Sequence, residues 1–393
     1  MPNETWTIKR CLDWTRDYLR DKGDERPRLS AEWLLAGVCG LTRTDIYVGF
    51  DKPMSAEELA AMHAAVVRRA KGEPLQYIVG ETGFRQITVA CEPGVLIPRP
   101  ETELLVEEVL GYLDREVLGE DSSHPRKRVE LPWNAEVEAA LEAERAVAVQ
   151  QRDDEREAVL RERELTEEDL EGLGLDEDDA APTRVVPDAV GDDDEDARLR
   201  GDEGAADSDA LGSPDRSHVA RVLEVGCGTG CISLSIATER SGRAECVAID
   251  IEPRAVDLTI RNRDALGIAP AAVDVRLGNL VSPLSRETEW GTFDVLVSNP
   301  PYIPSSVMET LPHEVADYEP ALALDGGADG LDIFRRLVNA APHMLKPGGL
   351  LACELYEGHL DAAAELCRSA GMRDVRIVDD LTGRPRIVLA RVE

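Results

Sequence analysis

The stretch VARVLEVGCGTGCISLSIATE, residues 219–239, decides the fold. Its first seven residues form a short apolar run that predicts a buried strand, and its last ten predict a helix. Between them Gly226, Gly228 and Gly230 occupy alternate positions, which lets the backbone turn sharply and pass close to a ligand. A strand, a glycine loop and a helix in this order indicate the first unit of an open α/β sheet.

The same alternation continues through the rest of the chain. The predicted strands are Val219–Val225, Glu245–Asp250, Val273–Leu277, Phe293–Ser298, Leu350–Leu355, Val375–Val378 and Ile387–Val392, and the predicted helices are Gly230–Glu239, Pro253–Leu266 and Leu331–Leu345. Only Asp379–Arg386 joins the last two strands, which is too short for a crossover helix, so the final strand is predicted to be antiparallel. The predicted fold class is therefore α/β: a doubly wound, mostly parallel, seven-stranded Rossmann-like sheet with a terminal antiparallel strand.

A small helical bundle is predicted for residues 1–73. Trp6–Leu19 has apolar residues at helical spacing, and Ser30 is predicted to cap a second helix that runs to Cys39. Ser55 and Glu58 have the spacing of a capping box, which predicts a third helix that ends before Gly72.

Residues 74–100 predict a hairpin and an interdomain linker. Tyr77–Val79 and Ile87–Val89 are the predicted arms of the hairpin, and the rigid Pro98–Pro100 turn is a plausible hinge. A helix is predicted from Glu101 to Leu118, so residues 101–120 and 218–393 together form the α/β domain.

Residues 121–217 differ from the rest of the chain in composition. They carry 31 acidic and 12 basic residues, so this quarter of the chain holds −19 of the net charge of −34. A segment of this kind cannot bury enough apolar surface to offset its ordering entropy, and we predict an acidic, largely disordered insertion. Outside it the balance is still acidic, which argues against nucleic-acid binding because that needs a basic face.

Polar residues follow the predicted strands where ligands bind in open α/β sheets. The dinucleotide fingerprint needs glycine at position 231, where this chain has Cys231, which counts against NAD or FAD. Asp250 ends the second strand 24 residues after Gly226, where a carboxylate can accept from both hydroxyls of a ribose; a turn residue is the weaker alternative. Asn279 follows the third strand, where it either holds an adenine amino group or simply ends the strand.

The sequence Asn299-Pro300-Pro301-Tyr302 follows the fourth strand at the same edge. Its prolines remove two N–H donors but keep their carbonyls in a narrow range of φ. The Asn299 side-chain oxygen and the Pro300 carbonyl therefore form a stiff rim of acceptors that suits a planar –NH2 group. Taken alone, the motif is equally compatible with a turn that ends a strand. The glycine loop and Asp250 favour the ligand role, because all three segments converge on one cleft.

With these residues assembled, the chain resembles the HemK/PrmC family of release factor glutamine N5-methyltransferases, which are class I S-adenosylmethionine-dependent enzymes. The segments that carry the resemblance are Glu73–Ile78, Val95–Glu103, Glu224–Gly230, Ser298–Ile303, Tyr318–Pro320 and Ala323–Leu331. It covers nearly everything except residues 121–217, and the segment IPRPETE, residues 97–103, is its most specific part. Glu354-Leu355-Tyr356 departs from the family's usual Glu-Ile-Gly.

The resemblance implies a role for each matched residue. The cofactor S-adenosylmethionine would be bound by the loop Gly226, Cys227, Gly228, Thr229 and Gly230, by Asp250, Asn279 and Leu280, and by Asn299. Asn299 and Pro300 would accept hydrogen bonds from the substrate amide, and Pro301 and Tyr302 would pack against it. The family often has an acidic residue where Asn279 stands and in some members an aromatic where Leu280 stands. The implied reaction methylates the glutamine of a Gly-Gly-Gln motif in peptide chain release factors, which would dock on residues 1–73.

Two other functions compete with this reading. A nucleic-acid amino methyltransferase is disfavoured by the acidic balance, and a non-catalytic binding module by the intact glycine loop. The eight cysteines include no CxxC pair, so we expect reduced thiols and no metal site. There is no apolar run near the roughly 20 residues of a membrane helix, and no secretory signal is visible. We therefore expect a cytoplasmic monomer that binds neither membrane nor nucleic acid directly.

Overall fold

A computed structural model describes residues 5–119, 218–380 and 382–393. The predicted acidic insertion, residues 121–217, lies outside these described residues. No helix in the described ranges is both long enough and apolar enough to cross a membrane.

The N-terminal domain begins with a bundle of helices. These are α1 (Ile8–Asp21), α2 (Pro27–Cys39), α3 (Arg43–Val48) and α4 (Ala56–Arg69). The predicted capping box is present at the start of α4: the Glu58 N–H donates to the Ser55 hydroxyl (3.1 Å), and the Ser55 N–H donates to the Glu58 carboxylate (2.7 Å). A cap of this kind typically contributes about 1 kcal/mol.

Helix α2 begins earlier than predicted. Its first residue is Pro27, whose missing N–H costs nothing in the first turn of a helix. Ser30 lies inside the helix, and its hydroxyl donates to Asp24 (2.8 Å) instead of capping the backbone. The prediction that Ser30 caps this helix was therefore wrong.

The predicted first arm of the hairpin is also a helix. Residues Leu75–Val79 form the single short helix α5, which begins after Pro74 and ends at Gly80 in the left-handed conformation. The hairpin consists instead of β1 (Glu81–Phe84) and β2 (Ile87–Ala90), which pair antiparallel. The Tyr77 hydroxyl donates to the Val95 carbonyl (2.7 Å) inside the protein, a contact 18 residues away that holds this helix in place.

The α/β domain is built on the seven-stranded sheet that the sequence predicts. The helix α6 (Thr102–Tyr112) precedes it. The strands are β3 (Ala220–Val225), β4 (Ala244–Asp250), β5 (Val273–Leu277), β6 (Phe293–Ser298), β7 (Leu345–Glu354), β8 (Arg373–Asp379) and β9 (Pro385–Arg391). Their order is β5-β4-β3-β6-β7-β9-β8; the first five are parallel, and β9 runs antiparallel to both of its neighbours.

Helices cover both faces of this sheet. They are α7 (Cys231–Glu239), α8 (Pro253–Ala265), α10 (Asp332–Met344) and α11 (Leu360–Ser369). The short helix α9 (His313–Ala316) buries no residue and lies in the loop between β6 and α10. The sequence predicted neither α9 nor α11. Consecutive strand residues point to opposite faces. Val295 accordingly packs in the core under α6 and α7, while Leu296 packs in the core under α10 and α11. Strands buried on both sides read as continuous apolar runs, which is why they were predictable.

The loop between β6 and α10 holds the helical bundle against the α/β domain. Arg69, at the end of α4, donates to Asp24 (2.7 Å) in its own domain and to Glu314 (2.9 Å) in this loop. The Tyr318 hydroxyl donates to the Lys71 carbonyl (3.2 Å). The segment that follows the predicted acceptor rim is therefore tied to the N-terminal domain.

Candidate active site

A cavity of about 320 Å³ opens at the carboxyl ends of β3 to β6. Of the predicted site residues, those that line it are Gly226, Cys227, Gly228, Thr229, Asp250, Asn279, Leu280, Asn299, Pro300 and Pro301. Gly230 and Tyr302 lie outside the lining. The Val95–Arg99 segment also lines it, so the linker and the sheet edge border one space.

Glycine is needed at the positions of this loop for different physical reasons. All have positive φ: +77° at Gly226, +56° at Gly228 and +81° at Gly230. A Cβ on Gly226 would meet no protein atom within 4 Å, whereas a Cβ on Gly230 would lie 2.6 Å from Cγ2 of Thr259. Gly226 thus leaves free space at the cavity, and Gly230 permits close packing of the loop on α8.

Asp250 is fixed at the end of β4 by backbone donors. Its two carboxylate oxygens accept from the N–H of Gly228 and the N–H of Glu252, each at 2.9 Å. Burial raises the pKa of the Asp250 carboxyl, and these two N–H groups act in the opposite direction. Each oxygen keeps a further lone pair, so the group can still accept from two neighbouring hydroxyls.

Glu224 is a site residue to which the sequence reading gave no role, although it stands in the quoted loop. One carboxylate oxygen accepts from the Ser233 N–H (3.0 Å) and from the Ser233 hydroxyl. The other oxygen is buried with no hydrogen-bond partner among the described residues, and Glu224 lines the cavity. Burial raises the pKa of Glu224 to about 8. A ligand with a positively charged group would satisfy this oxygen and restore the charged carboxylate.

Asn279 makes a contact that the sequence did not predict. Its side-chain oxygen accepts from the Arg336 guanidinium on α10 (3.1 Å), and its N–H donates to the Ser282 hydroxyl (3.1 Å). One lone pair of that oxygen is thus already engaged. The next residue, Leu280, has φ +53° and lines the cavity beside the exposed side chain of Ile251.

The predicted acceptor rim follows β6, which is anchored because the Ser298 hydroxyl donates to the Val225 carbonyl (2.7 Å). The Asn299 amide nitrogen donates to the Thr102 hydroxyl (3.1 Å). Tyr302 is packed against the core under α10, and burial raises its pKa to about 12. Its phenol therefore stays neutral at physiological pH.

Arg99 connects the linker to the loop after the rim. Its guanidinium donates to the buried carboxylate of Glu319 (2.6 Å), and Arg99 also lines the cavity. Glu319 further accepts from the Ile97 N–H (3.4 Å). Pro320 and Leu322, which follow it, form part of the cavity wall. The family-like Arg99 and Tyr318–Pro320 segments thus meet at one edge of the cleft.

The cleft also fits the group that the resemblance implies. S-adenosylmethionine carries a ribose, an adenine and positively charged groups. Asp250 offers acceptors for hydroxyls, Gly226 leaves space for close approach, and the unpaired oxygen of Glu224 matches a cation. The residues present therefore fit this cofactor.

Comparisons with known proteins agree with this reading. A methyltransferase domain model matches residues 217–378, so fold and site define an S-adenosylmethionine-dependent methyltransferase. A PrmC N-terminal domain model matches residues 10–80. The release factor glutamine methyltransferase of Geobacter sulfurreducens is 34% identical over 99% of this chain and 98% of its own length. That of Chlorobaculum tepidum is 30% identical over 97% and 96%. This chain belongs to the release factor glutamine methyltransferase family, which confirms the resemblance drawn from its motifs.

Among solved structures, the similarity is partial. A SAM dependent methyltransferase from Aquifex aeolicus is 15% identical over 45% of this chain and 84% of that one, with a TM-score of 0.32. The N-terminal domain of human METTL16 in complex with SAH is 18% identical over 45% of this chain and 63% of that one, with a TM-score of 0.34.

Proposed function

We propose that this chain methylates the side-chain amide nitrogen (N5) of the glutamine in the Gly-Gly-Gln motif of peptide chain release factors, with S-adenosylmethionine as methyl donor. Family membership supports the reaction class and the protein substrate. The observation that carries the assignment of residues is that the Asn299–Pro300 acceptors share one cavity with Asp250 and the glycine loop.

The glycine loop and its neighbours hold the cofactor. Asp250 accepts from the ribose hydroxyls, Glu224 faces a positively charged group, and Gly226 and Gly228 give the backbone close access. Asn279 and Leu280 border the adenine. When bound, S-adenosylmethionine supplies an electrophilic methyl group.

Asn299 and Pro300 prepare the nucleophile. An amide nitrogen is a weak nucleophile because its lone pair is delocalised into the carbonyl. Two acceptors on its N–H groups return electron density to nitrogen and fix the direction of the lone pair. Positioning of this kind supplies a large part of the rate enhancement in group transfer. Pro301 lines the cavity and offers the amide a rigid apolar surface, while Tyr302 lies outside the lining and supports the rim from the core.

The N-terminal domain is assigned to docking of the release factor. Arg69 and Tyr318 tie this domain to the loop that follows the rim, so a protein bound to the bundle would lie next to the cleft. A single copy of the chain supplies every residue of the proposed site. We further propose that it acts as a cytoplasmic monomer and binds neither membrane nor nucleic acid, the last supported by its acidic balance.

Transfer of labelled methyl from S-adenosylmethionine to a purified release factor tests the proposal, with the Gly-Gly-Gln glutamine replaced by alanine as the substrate control. We expect Asn299→Ala to lower kcat at least 100-fold while cofactor affinity stays within about threefold, because Asn299 acts on the amide. Asn339→Ala, at an exposed position on α10, is the matched control and should match the wild type. Wild-type turnover in Asn299→Ala would rule out the assigned role.

A further inference from the structure

Three polar side chains from distant parts of the sequence form a hydrogen-bonded chain behind the acceptor rim. The Asn299 amide nitrogen donates to the Thr102 hydroxyl (3.1 Å), and the Thr102 hydroxyl donates to the Glu354 carboxylate (2.7 Å). Asn299 follows β6, Thr102 is the first residue of α6, and Glu354 is the last residue of β7. Thr102 and Glu354 are each only 2% exposed.

The order of donors in this chain fixes which end of the Asn299 amide faces the cleft. A side-chain amide has one acceptor end and one donor end, and a rotation about its last bond exchanges them. A carboxylate only accepts, so Glu354 takes the single hydroxyl proton of Thr102. The Thr102 oxygen can then act only as an acceptor, and it binds the nitrogen end of the amide. The oxygen end of Asn299 is left for the substrate.

We infer that Thr102 and Glu354 are positioning residues that hold the Asn299 amide with its oxygen toward the substrate, an inference that rests on the proposed methylation of a glutamine amide. Thr102 also lines the cavity, whereas Glu354 lies outside the lining, and both act through Asn299. The flipped amide would present two N–H donors to the two N–H donors of the glutamine, and the acceptor rim would lose its main member.

The charge of Glu354 sets the direction of the hydrogen bonds from Asn299 through Thr102 to Glu354. Burial raises the pKa of Glu354 to about 7. Glu101 raises it further, while Arg386 and Arg99 lower it, and the neutral phenol of Tyr302 also faces this carboxyl. A protonated Glu354 can donate to Thr102, whose hydroxyl is then free to donate to the oxygen of Asn299. Protonation therefore permits the flipped amide, and kcat should fall as the pH drops below about 7.

Methyl transfer by Thr102 variants tests the inference. Thr102→Val keeps the shape and removes the hydroxyl, and we expect kcat to fall about 10- to 100-fold. The KM for the release factor and the affinity for S-adenosylmethionine should stay within about threefold. Thr102→Ser restores the hydroxyl and should restore kcat. Thr82→Val, a buried threonine in β1, is the matched control for the same change of side chain.

A double-mutant comparison shows whether Thr102 acts through Asn299. If it does, Thr102→Val combined with Asn299→Ala should be no slower than Asn299→Ala alone. A further loss of the same size as in Thr102→Val alone would overturn the inference. Wild-type kcat in Thr102→Val would overturn it as well. Glu354→Gln carries a donor as well as an acceptor, as the protonated carboxyl does, so it should show the lowered kcat of the wild type at low pH and lose the fall of kcat below pH 7.

A second measurement separates this inference from the proposed function. If the wild-type chain transfers no methyl group to the release factor, the proposed function fails, but the amide can still be observed by NMR. The side-chain amide signals of Asn299, assigned by their loss in Asn299→Ala, should show slow proton exchange in the wild type and faster exchange in Thr102→Val. Identical exchange in the two proteins would overturn the hydrogen-bonded chain, whatever the substrate.

Discussion

The same substitution at two glycines of the cofactor loop should affect different properties: stability more at Gly230, and cofactor affinity more at Gly226. Gly226→Ala and Gly230→Ala each place an alanine at positive φ, which costs about 1–2 kcal/mol. At Gly226 the added Cβ meets no protein atom, so the free energy of unfolding should fall by this amount alone. At Gly230 it would lie 2.6 Å from the buried Thr259 and 3.0 Å from Leu234, which adds about 1–3 kcal/mol of overpacking. Gly230→Ala should therefore cost about 2–5 kcal/mol.

Gly226→Ala should lose more affinity for S-adenosylmethionine than Gly230→Ala, which is the reverse of the order expected for the loss of stability. The Cβ of Gly226→Ala would occupy space beside the cavity. This variant should therefore lose cofactor affinity even though its loss of stability is small. Urea denaturation gives the free energies of unfolding, and isothermal titration calorimetry gives the affinities. Gly371→Ala is the matched control, because Gly371 has φ +80° and free space around it, away from the cleft. It should show the backbone strain alone.

Two results would refute this reasoning. If Gly230→Ala costs no more than Gly371→Ala, the contact with Thr259 is soft and Gly230 is not needed for packing. If Gly226→Ala binds S-adenosylmethionine as the wild type does, the free space beside Gly226 is not used by the cofactor. The comparison isolates space from strain because all three glycines have nearly the same φ.

Further predictions concern the buried carboxyl and the insertion. Burial raises the pKa of Glu224 to about 8, above its value in the unfolded chain, so the neutral form stabilises the fold at low pH and this contribution is lost as the pH rises through 8. Between pH 5 and 9 the free energy of unfolding should fall by on the order of 4 kcal/mol from this group, and urea denaturation of Glu224→Gln should show a smaller fall; an unchanged slope would exclude Glu224 as the cause. The Leu118 carbonyl accepts from the Arg243 side chain (3.2 Å), and the Ala220 N–H donates to the Arg243 carbonyl (2.9 Å). The residues on either side of the insertion therefore lie close together. Replacing residues 120–217 by a linker of about six residues should therefore leave the melting temperature and methyl transfer largely intact; loss of either would show that the insertion is structural.

The sheet was largely predictable because its signals are local. Runs such as Phe293–Ser298 are buried on both faces and therefore apolar throughout, and the short connection before β9 required an antiparallel strand. The prediction for Tyr77–Val79 failed because a three-residue apolar run does not distinguish a strand from one helical turn. Its conformation depends on Pro74, on Gly80 and on a contact with Val95.

The candidate site was predictable where residues end parallel strands. Asp250 and Asn299 follow different strands, but the strands end at one sheet edge, so their meeting needs no knowledge of side chains. The contacts of Thr102 with Asn299 and Glu354 join positions 197 and 252 residues apart, and no periodicity marks them. The partner of Asn279 on α10 was hidden for the same reason. The sequence therefore located the residues that line the cleft, but not the residues that orient them.

The position of β9 has a consequence for biosynthesis. This strand is made last among the seven, yet it lies between β7 and β8 and pairs with both. Until residues 385–391 leave the ribosome, the part of β7 that pairs with β9, Leu350–Glu354, presents an unpaired edge, the kind of edge that recruits other chains. A nascent chain truncated before β9 would therefore be prone to aggregation, with Glu354 at the end of an open edge. The sheet edge that ends in Glu354 is therefore complete only after β9 has been synthesised.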